Sequence, residues 1–492
     1  RLYRSVDADF GEGVYVGKMH LKTGERHLLV PYWNDEGRAY GLRDLRSSTV
    51  TTSRGPRYVG PGVYNDSGRL YVRLDPVPAS ALHGRQVTAG VPETPDEVSL
   101  RLSTASSVIE VTGSYIDFAD LVIAGGRSGI EMEEGSSHVR MNGMTFDVAG
   151  GAVRMRDRVN HIELRDSVIE GGFPPWVAWT DMKGGDGQSR PASHSSFKSS
   201  GGGGDFVSHV TVVGNTFNRV FDGMVMQGEH ITFSDNSGFF VDDMLQLGSN
   251  SSHVEIARNR VTGAGPSHNG KGDSAEPGTT WIHHNVIDAS VEVLWGKKDP
   301  DRLLRDGRRG WRAHRPFPDH SSRYLNKGDP WKIYANTVVF DGRASNDGAG
   351  AQLWDNRNKT GAAHEVYNNI FVEIGGGRFV RGLDVGGGPQ RFDGNVYWRA
   401  GPSGDVVFDD MKADRGGEQD FESLDALRSS RVFTDSRRWY SPGWEANGTD
   451  ADPELDARWR PSASGSAASG AVPLPEAFPG ERHEYRGALK PE

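Results

Sequence analysis

A pattern of apolar-x-apolar-x-x-Asn-x-apolar recurs along the middle of this chain. It appears in His209-Val210-Thr211-Val212-Val213-Gly214-Asn215, Val254-Glu255-Ile256-Ala257-Arg258-Asn259, Trp281-Ile282-His283-His284-Asn285, Trp331-Lys332-Ile333-Tyr334-Ala335-Asn336 and Glu365-Val366-Tyr367-Asn368-Asn369. The equivalent positions are Leu121, Met144, Ser167, Asn215, Asn236, Asn259, Asn285, Asn336, Asn369 and Asn395, most of them 21 to 26 residues apart. Such a period is too short for a βαβ unit and lacks the Leu spacing of leucine-rich repeats, but it suits one rung of a parallel β-helix. Stacked at the strand spacing of about 4.8 Å, the asparagines would form an amide ladder at a turn.

Counting on from each Asn position predicts the faces of the next strand. Ile130 and Met132, Val153 and Met155, Trp176 and Ala178, Met224 and Met226, then Leu245 and Leu247 make an apolar column pointing inward. Glu131 and Glu133, Arg154 and Arg156, Val177 and Trp179, Val225 and Gln227, then Gln246 alternate with them and face out. The Glu and Arg pairs fall on adjacent rungs and should attract each other.

Glycine, at 65 of 492 residues, and only 35% hydrophobic residues fit many tight turns around a thin core. No apolar run is long enough to span a membrane, no cysteine offers a disulfide or thiolate site, and a net charge of -10 argues against a general nucleic-acid binder. Residues 1–95 read as an N-terminal β cap, with a hairpin at Gly62-Val63-Tyr64-Asn65-Asp66-Ser67-Gly68-Arg69-Leu70. A cap is expected to close the first, open edge of the coil. Residues 96–400 form the coil, with a surface loop inserted at about 183–205 and a basic insertion at about 296–330. Residues 401–492, with a helical stretch at Glu422-Ser423-Leu424-Asp425-Ala426-Leu427-Arg428, form an extension packed on the last rungs. The fold expected is all-β, a right-handed parallel β-helix of about ten rungs.

Asp222 and Asp243 lie 21 residues apart, as Asn215 and Asn236 do, so one carboxylate stacks on the other. Two like charges so close need a bridging cation or a shared proton. A Ca²⁺ ion on Asp222, Asp242 and Asp243 answers the first need, a hydrolytic acid pair answers the second, and a turn in which both accept backbone N–H bonds is the alternative to either. The Gly- and Pro-rich segment Gly265-Pro266-Ser267-His268-Asn269-Gly270-Lys271 reads as a loop above these carboxylates, with His268 or Lys271 as general base. Trp179 and Trp295 supply stacking faces, and Arg308, Arg309 and Lys327 give the second insertion its basic character.

The rungs with their Asn ladder, together with Ala451-Asp452-Pro453-Glu454-Leu455 and Trp459-Arg460-Pro461-Ser462-Ala463-Ser464-Gly465-Ser466, resemble the right-handed parallel β-helix superfamily typified by pectate lyases. Within that superfamily Asp222-Gly223 and Asp242-Asp243 resemble a catalytic calcium site, although Gln246 stands where its last acid would be. The resemblance implies a secreted or periplasmic, monomeric polysaccharide-degrading enzyme. The first reading is a lyase that cleaves a uronic-acid polymer by β-elimination, with Gln246, Trp179, Trp295, Arg308, Arg309 and Lys327 holding the chain. The second is an inverting glycoside hydrolase with Asp242 and Asp243 as acid and base. The third is a non-catalytic carbohydrate-binding or adhesive protein.

Overall fold

The computed structural model describes residues 98–172, 195–199, 206–262, 278–289, 331–340, 352–355, 364–374, 378–400 and 407–492, apart from gaps of up to three residues, together with shorter N-terminal segments. Three strands make a rung. The first rung is Ser107–Val111, Ser114–Ala119 and Val122–Ala124; the second is Ser128–Met132, Ser137–Asn142 and Thr145–Asp147. Stacking in this order gives a first sheet of six parallel strands that ends at Asp243–Leu247, and second and third sheets of ten parallel strands each, ending at Arg391–Asp393 and Val396–Arg399. The chain is a parallel β-helix, with ten rungs among the described residues.

The expected inward column is the core. Ile130, Met132, Val153, Met155, Met224, Met226, Leu245 and Leu247 are each no more than 1% exposed. Rung 4 departs from expectation, because its first-sheet strand is Ser195–Ser199, taken from the stretch read as a surface loop. Phe197 pairs in register with Val153 on one side and Met224 on the other, and Lys198 pairs with Arg154 and Val225. Ser195-Ser196-Phe197-Lys198-Ser199 alternates with one large apolar side chain at the buried place, and Phe197 is fully buried. The inward and outward places expected for Trp176, Ala178, Val177 and Trp179 therefore belong to Phe197, Ser199 and Lys198; those four residues lie outside the described ones.

The asparagines form the expected ladder. From Asn215 to Asn369, the backbone N–H and the amide of each donate to the Oδ1 of the next, at 2.9–3.1 Å. Every amide also reaches a carbonyl one rung earlier, as Asn215 does at Leu164. Buried amides are thus fully satisfied without water. The residue before each ladder position has left-handed backbone, for example Asp166 (φ 47°) and Gly214 (φ 73°). A Cβ on Gly214 would lie 2.5 Å from Asp166 Oδ1, so the side chain at one turn requires a glycine at the next.

Among the described residues, the N-terminal sheet meets the coil along its flank. It contains the hairpin Gly62–Asp66 with Arg69–Arg73 and extends through Val16–Leu21 to Val98–Ser103. It packs on the flank of rungs 2 to 4, where the buried Lys18 ammonium lies 2.9 Å from Asp147 and donates to the Glu170 carbonyl. His20, Arg26 and Arg101 also lie 3.4–3.5 Å from Asp147. Burial pushes Lys18 down to about 8, against the pull of Asp147. A charged pair sealed in this way fixes the sheet to the side of the coil.

The C-terminal segment closes the other end. Leu424–Arg428 and Arg431–Ser436 are helices capped by Ser423 and Ser430. Trp444 is buried with its indole N–H on the Gln390 carbonyl. The tail then returns along the third sheet, with Trp459 on Asp288 and the Ala488 N–H on Thr337.

Candidate functional site

Two faces of the coil carry chemistry. On the outward face of the first sheet, Glu131, Arg154, Lys198, Val225 and Gln246 follow one another in register, one per rung. Arg156 sits 2.5 Å from Glu131 and 3.9 Å from Glu133, and Arg154 lies 3.9 Å from Glu131, which is the attraction between rungs the sequence predicts. Glu131 is thereby buried and neutralised from one side, while the exposed Lys198 stands on the other side of Arg154. Strands that cannot bend hold these groups at the rung pitch of about 4.8 Å.

Asp222 and Asp243 are register partners, as the spacing requires. Asp222 opens its strand with the parity of Met224 and Met226 and is buried, in line with Ser195 on the rung before. Its carboxylate therefore belongs to the turn at the strand start and not to the face that bears Arg154 and Lys198. Asp242, His268, Lys271, Trp179, Trp295, Arg308, Arg309 and Lys327 lie outside the described residues, as does the side chain of Asp243; Gln246 is half-buried on the outward face. Among the described residues, one acidic group is close enough to share a cation, Asp409 with Asp410 and Asp420 beyond rung 10, and Arg378 already pairs with Asp409 there.

The second face is a groove of about 900 Å³ along the second sheet. One wall is a column of rings that the sequence reading did not single out: Tyr115, His138, His161, His209, His230 and His253 stack face to face at 4.5–4.7 Å. Each of these residues has left-handed backbone, φ 51–63°, near the start of its strand. Each stands two residues before its outward floor residue, and the recurring signal was a His just before Val or Ile in Ser137-His138-Val139, Asn160-His161-Ile162, Ser208-His209-Val210, Glu229-His230-Ile231 and Ser252-His253-Val254. Asp117, Arg140, Glu163, Thr211, Thr232, Glu255 and Trp281 line the floor in register, one per rung.

Most charges in the floor are paired. Arg140 lies 4.0 Å from both Asp117 and Glu163, Arg165 also pairs with Glu163, and His283 Nε2 is 3.2 Å from Glu255. The His283 contact holds the Glu255 carboxyl below its ordinary range. Burial, and then the neighbouring His161 and His230, push the His209 imidazole down.

The chain matches no protein-family model, no curated protein and no solved structure. Function therefore rests on the two faces. The first offers fixed cations and a lysine, which suit binding and proton transfer on an acidic substrate; the second offers a long track at constant pitch, which suits an extended polymer.

Proposed function

We propose that the protein is a carbohydrate-active β-helix, similar to pectate lyases, that cleaves a uronic-acid polysaccharide by β-elimination on the outward face of its first sheet. The observation that carries this reading is the register of Arg154 with Lys198, a fixed guanidinium one rung from an exposed amine. Arg154 pairs with the uronate carboxylate and stabilises the charge that develops as the C5 proton leaves. Lys198 takes that proton. The electron pair left at C5 forms the C4–C5 double bond as the C4–oxygen bond breaks, and the ammonium just formed returns the proton to the departing oxygen. Gln246, two rungs on, hydrogen-bonds a sugar at another subsite. Lys198 thus takes the role that the sequence reading gave to Lys271 or His268. Such a substrate places the enzyme outside the cytoplasm, secreted or periplasmic.

Calcium at Asp222 and Asp243 does not fit a role in this step, because the Asp222 carboxylate is buried on the inward parity. No step is routed through it. An ion held there would brace the turn.

The test is a panel of polyuronates and neutral polysaccharides incubated with the protein and scored by ultraviolet absorbance and by reducing ends. Elimination gives both signals on a polyuronate. Reducing ends without absorbance would move the reading to an inverting hydrolase on Asp242 and Asp243, and neither signal on any glycan would leave a binding or adhesive protein.

A further inference from the structure

We propose that the imidazole column of the second sheet is a separate binding track for a linear polyanion, loaded when the histidines take up protons. The track lies on a different face from Arg154 and Lys198, and rests on the polyuronate reading only for the choice of probe.

Three observations point to a ligand. First, Tyr115 and five histidines occupy one left-handed position on six successive rungs, whereas the left-handed turn before the Asn ladder varies in type, with Asp166, Gly214, Arg258 and Ala335 among its residues. An aromatic ring at all six of these positions, five of them imidazoles, along one wall of a groove is a functional pattern.

Second, the rings are held with one edge committed. Nδ1 of His138, His161 and His253 bonds the Ser137 hydroxyl, the Asn160 amide oxygen and the Ser252 hydroxyl at 3.2, 2.7 and 3.4 Å. Nε2 is the edge available to a ligand.

Third, the arginines beside the column are already paired with carboxylates, so added positive charge on the track comes from the column. Facing it are Tyr115 above, Asp117, Arg140, Glu163 and Arg165 in one paired cluster, Glu255 on His283, and Glu134 with Arg158 at the preceding turn. Burial, and then His161 and His230, hold the His209 imidazole down, and Glu229 opposes them. On rungs 4 and 5, His209 and His230 stand over Thr211 and Thr232, with hydroxyls and no carboxylate in the floor. Protons on successive rings at this spacing repel one another, and an anion with a charge for every rung or two removes the repulsion. Proton uptake and polyanion binding therefore favour each other. A protein that acts on an acidic polymer gains a second grip on the same chain in mildly acidic surroundings.

The experiment measures binding of fluorescein-labelled oligogalacturonate by anisotropy at about pH 7.5 and about pH 5.5, where imidazoles titrate and uronates stay ionised. A labelled neutral oligosaccharide serves as control. The wild-type chain should bind the anion at least about 10-fold more tightly at the lower pH, with strong salt sensitivity. His161→Asn, His209→Asn and His230→Asn together keep a residue that tolerates the left-handed backbone and should abolish the pH response. Equal affinity of the wild type at both pH values, equal binding of the neutral chain, or a variant that keeps the full pH response would each overturn the proposal. Product absorbance, followed in parallel, reports the first-sheet chemistry separately: loss of that signal with pH-dependent binding intact refutes only the lyase reading.

Discussion

Asn395 donates both its backbone N–H and its amide to the Glu445 carboxylate, at 3.3 and 2.6 Å, so the last ladder position ends on a side chain from the C-terminal extension. Tyr397 donates to the same carboxylate at 2.8 Å. A ladder in which each rung donates to the next leaves two donors at its end, and Glu445 accepts both.

Glu445→Leu should cost about 2–4 kcal/mol, because it leaves those donors buried without a partner. Burial, and then Asp393, push Glu445 up to about 7. Since this pKa is raised, the folded protein binds more protons than the unfolded one between about pH 4.5 and 7, and the associated stability is present at low pH and lost as pH rises. Relative to Glu445→Gln, which cannot titrate, the wild type should gain on the order of 3 kcal/mol across that window. Urea unfolding of both at several pH values measures the difference; parallel curves would mean that Glu445 does not titrate in this window.

His364 gives the opposite slope. It is buried, accepts from the Trp331 N–H at 3.1 Å, and burial lowers it to about 3. Burial also lowers His284 to about 3, with His283 next in effect. A lowered histidine pKa means that the unfolded chain takes up protons first as pH falls below about 6.5, so stability drops. His364→Asn keeps an acceptor for Trp331 and should flatten the acid slope by about 1.4 kcal/mol per pH unit. An unchanged slope would show that His364 titrates normally.

The fold was legible because one buried column and one buried ladder each repeat with the rung. Met226 and Asn236 have no freedom to drift once the strands are in register. Lys198 was hidden because its strand is one Phe among serines, flanked by glycine, and only Phe197 filling the core reveals it. The histidine column was missed because the counting followed only the strand after each Asn position, and the place of the N-terminal sheet was hidden by a pairing of Lys18 with Asp147 across 129 residues that no local pattern encodes. Of the expected site, Asp222 was correctly stacked on Asp243, but its inward parity, which the same counting could have shown, removes it from the reacting face.

Calcium should act on stability alone. Asp222→Asn removes the buried charge at the strand start that a calcium ion would need. Added Ca²⁺ should raise the melting temperature of the wild type and not that of the variant. A calcium requirement for turnover with no effect on melting would contradict a bracing role.

The central claim is that Lys198 beside Arg154 performs elimination, and the direct measurement is absorbance of the new C4–C5 double bond released from a polyuronate by wild type, Lys198→Met and Lys198→Arg. Loss of a positioned general base should lower kcat by about 10²–10⁴-fold in both variants while melting stays within a few degrees. Arginine retains the charge but cannot give up its proton, so its failure separates proton transfer from binding. Wild-type absorbance from either variant would contradict the account.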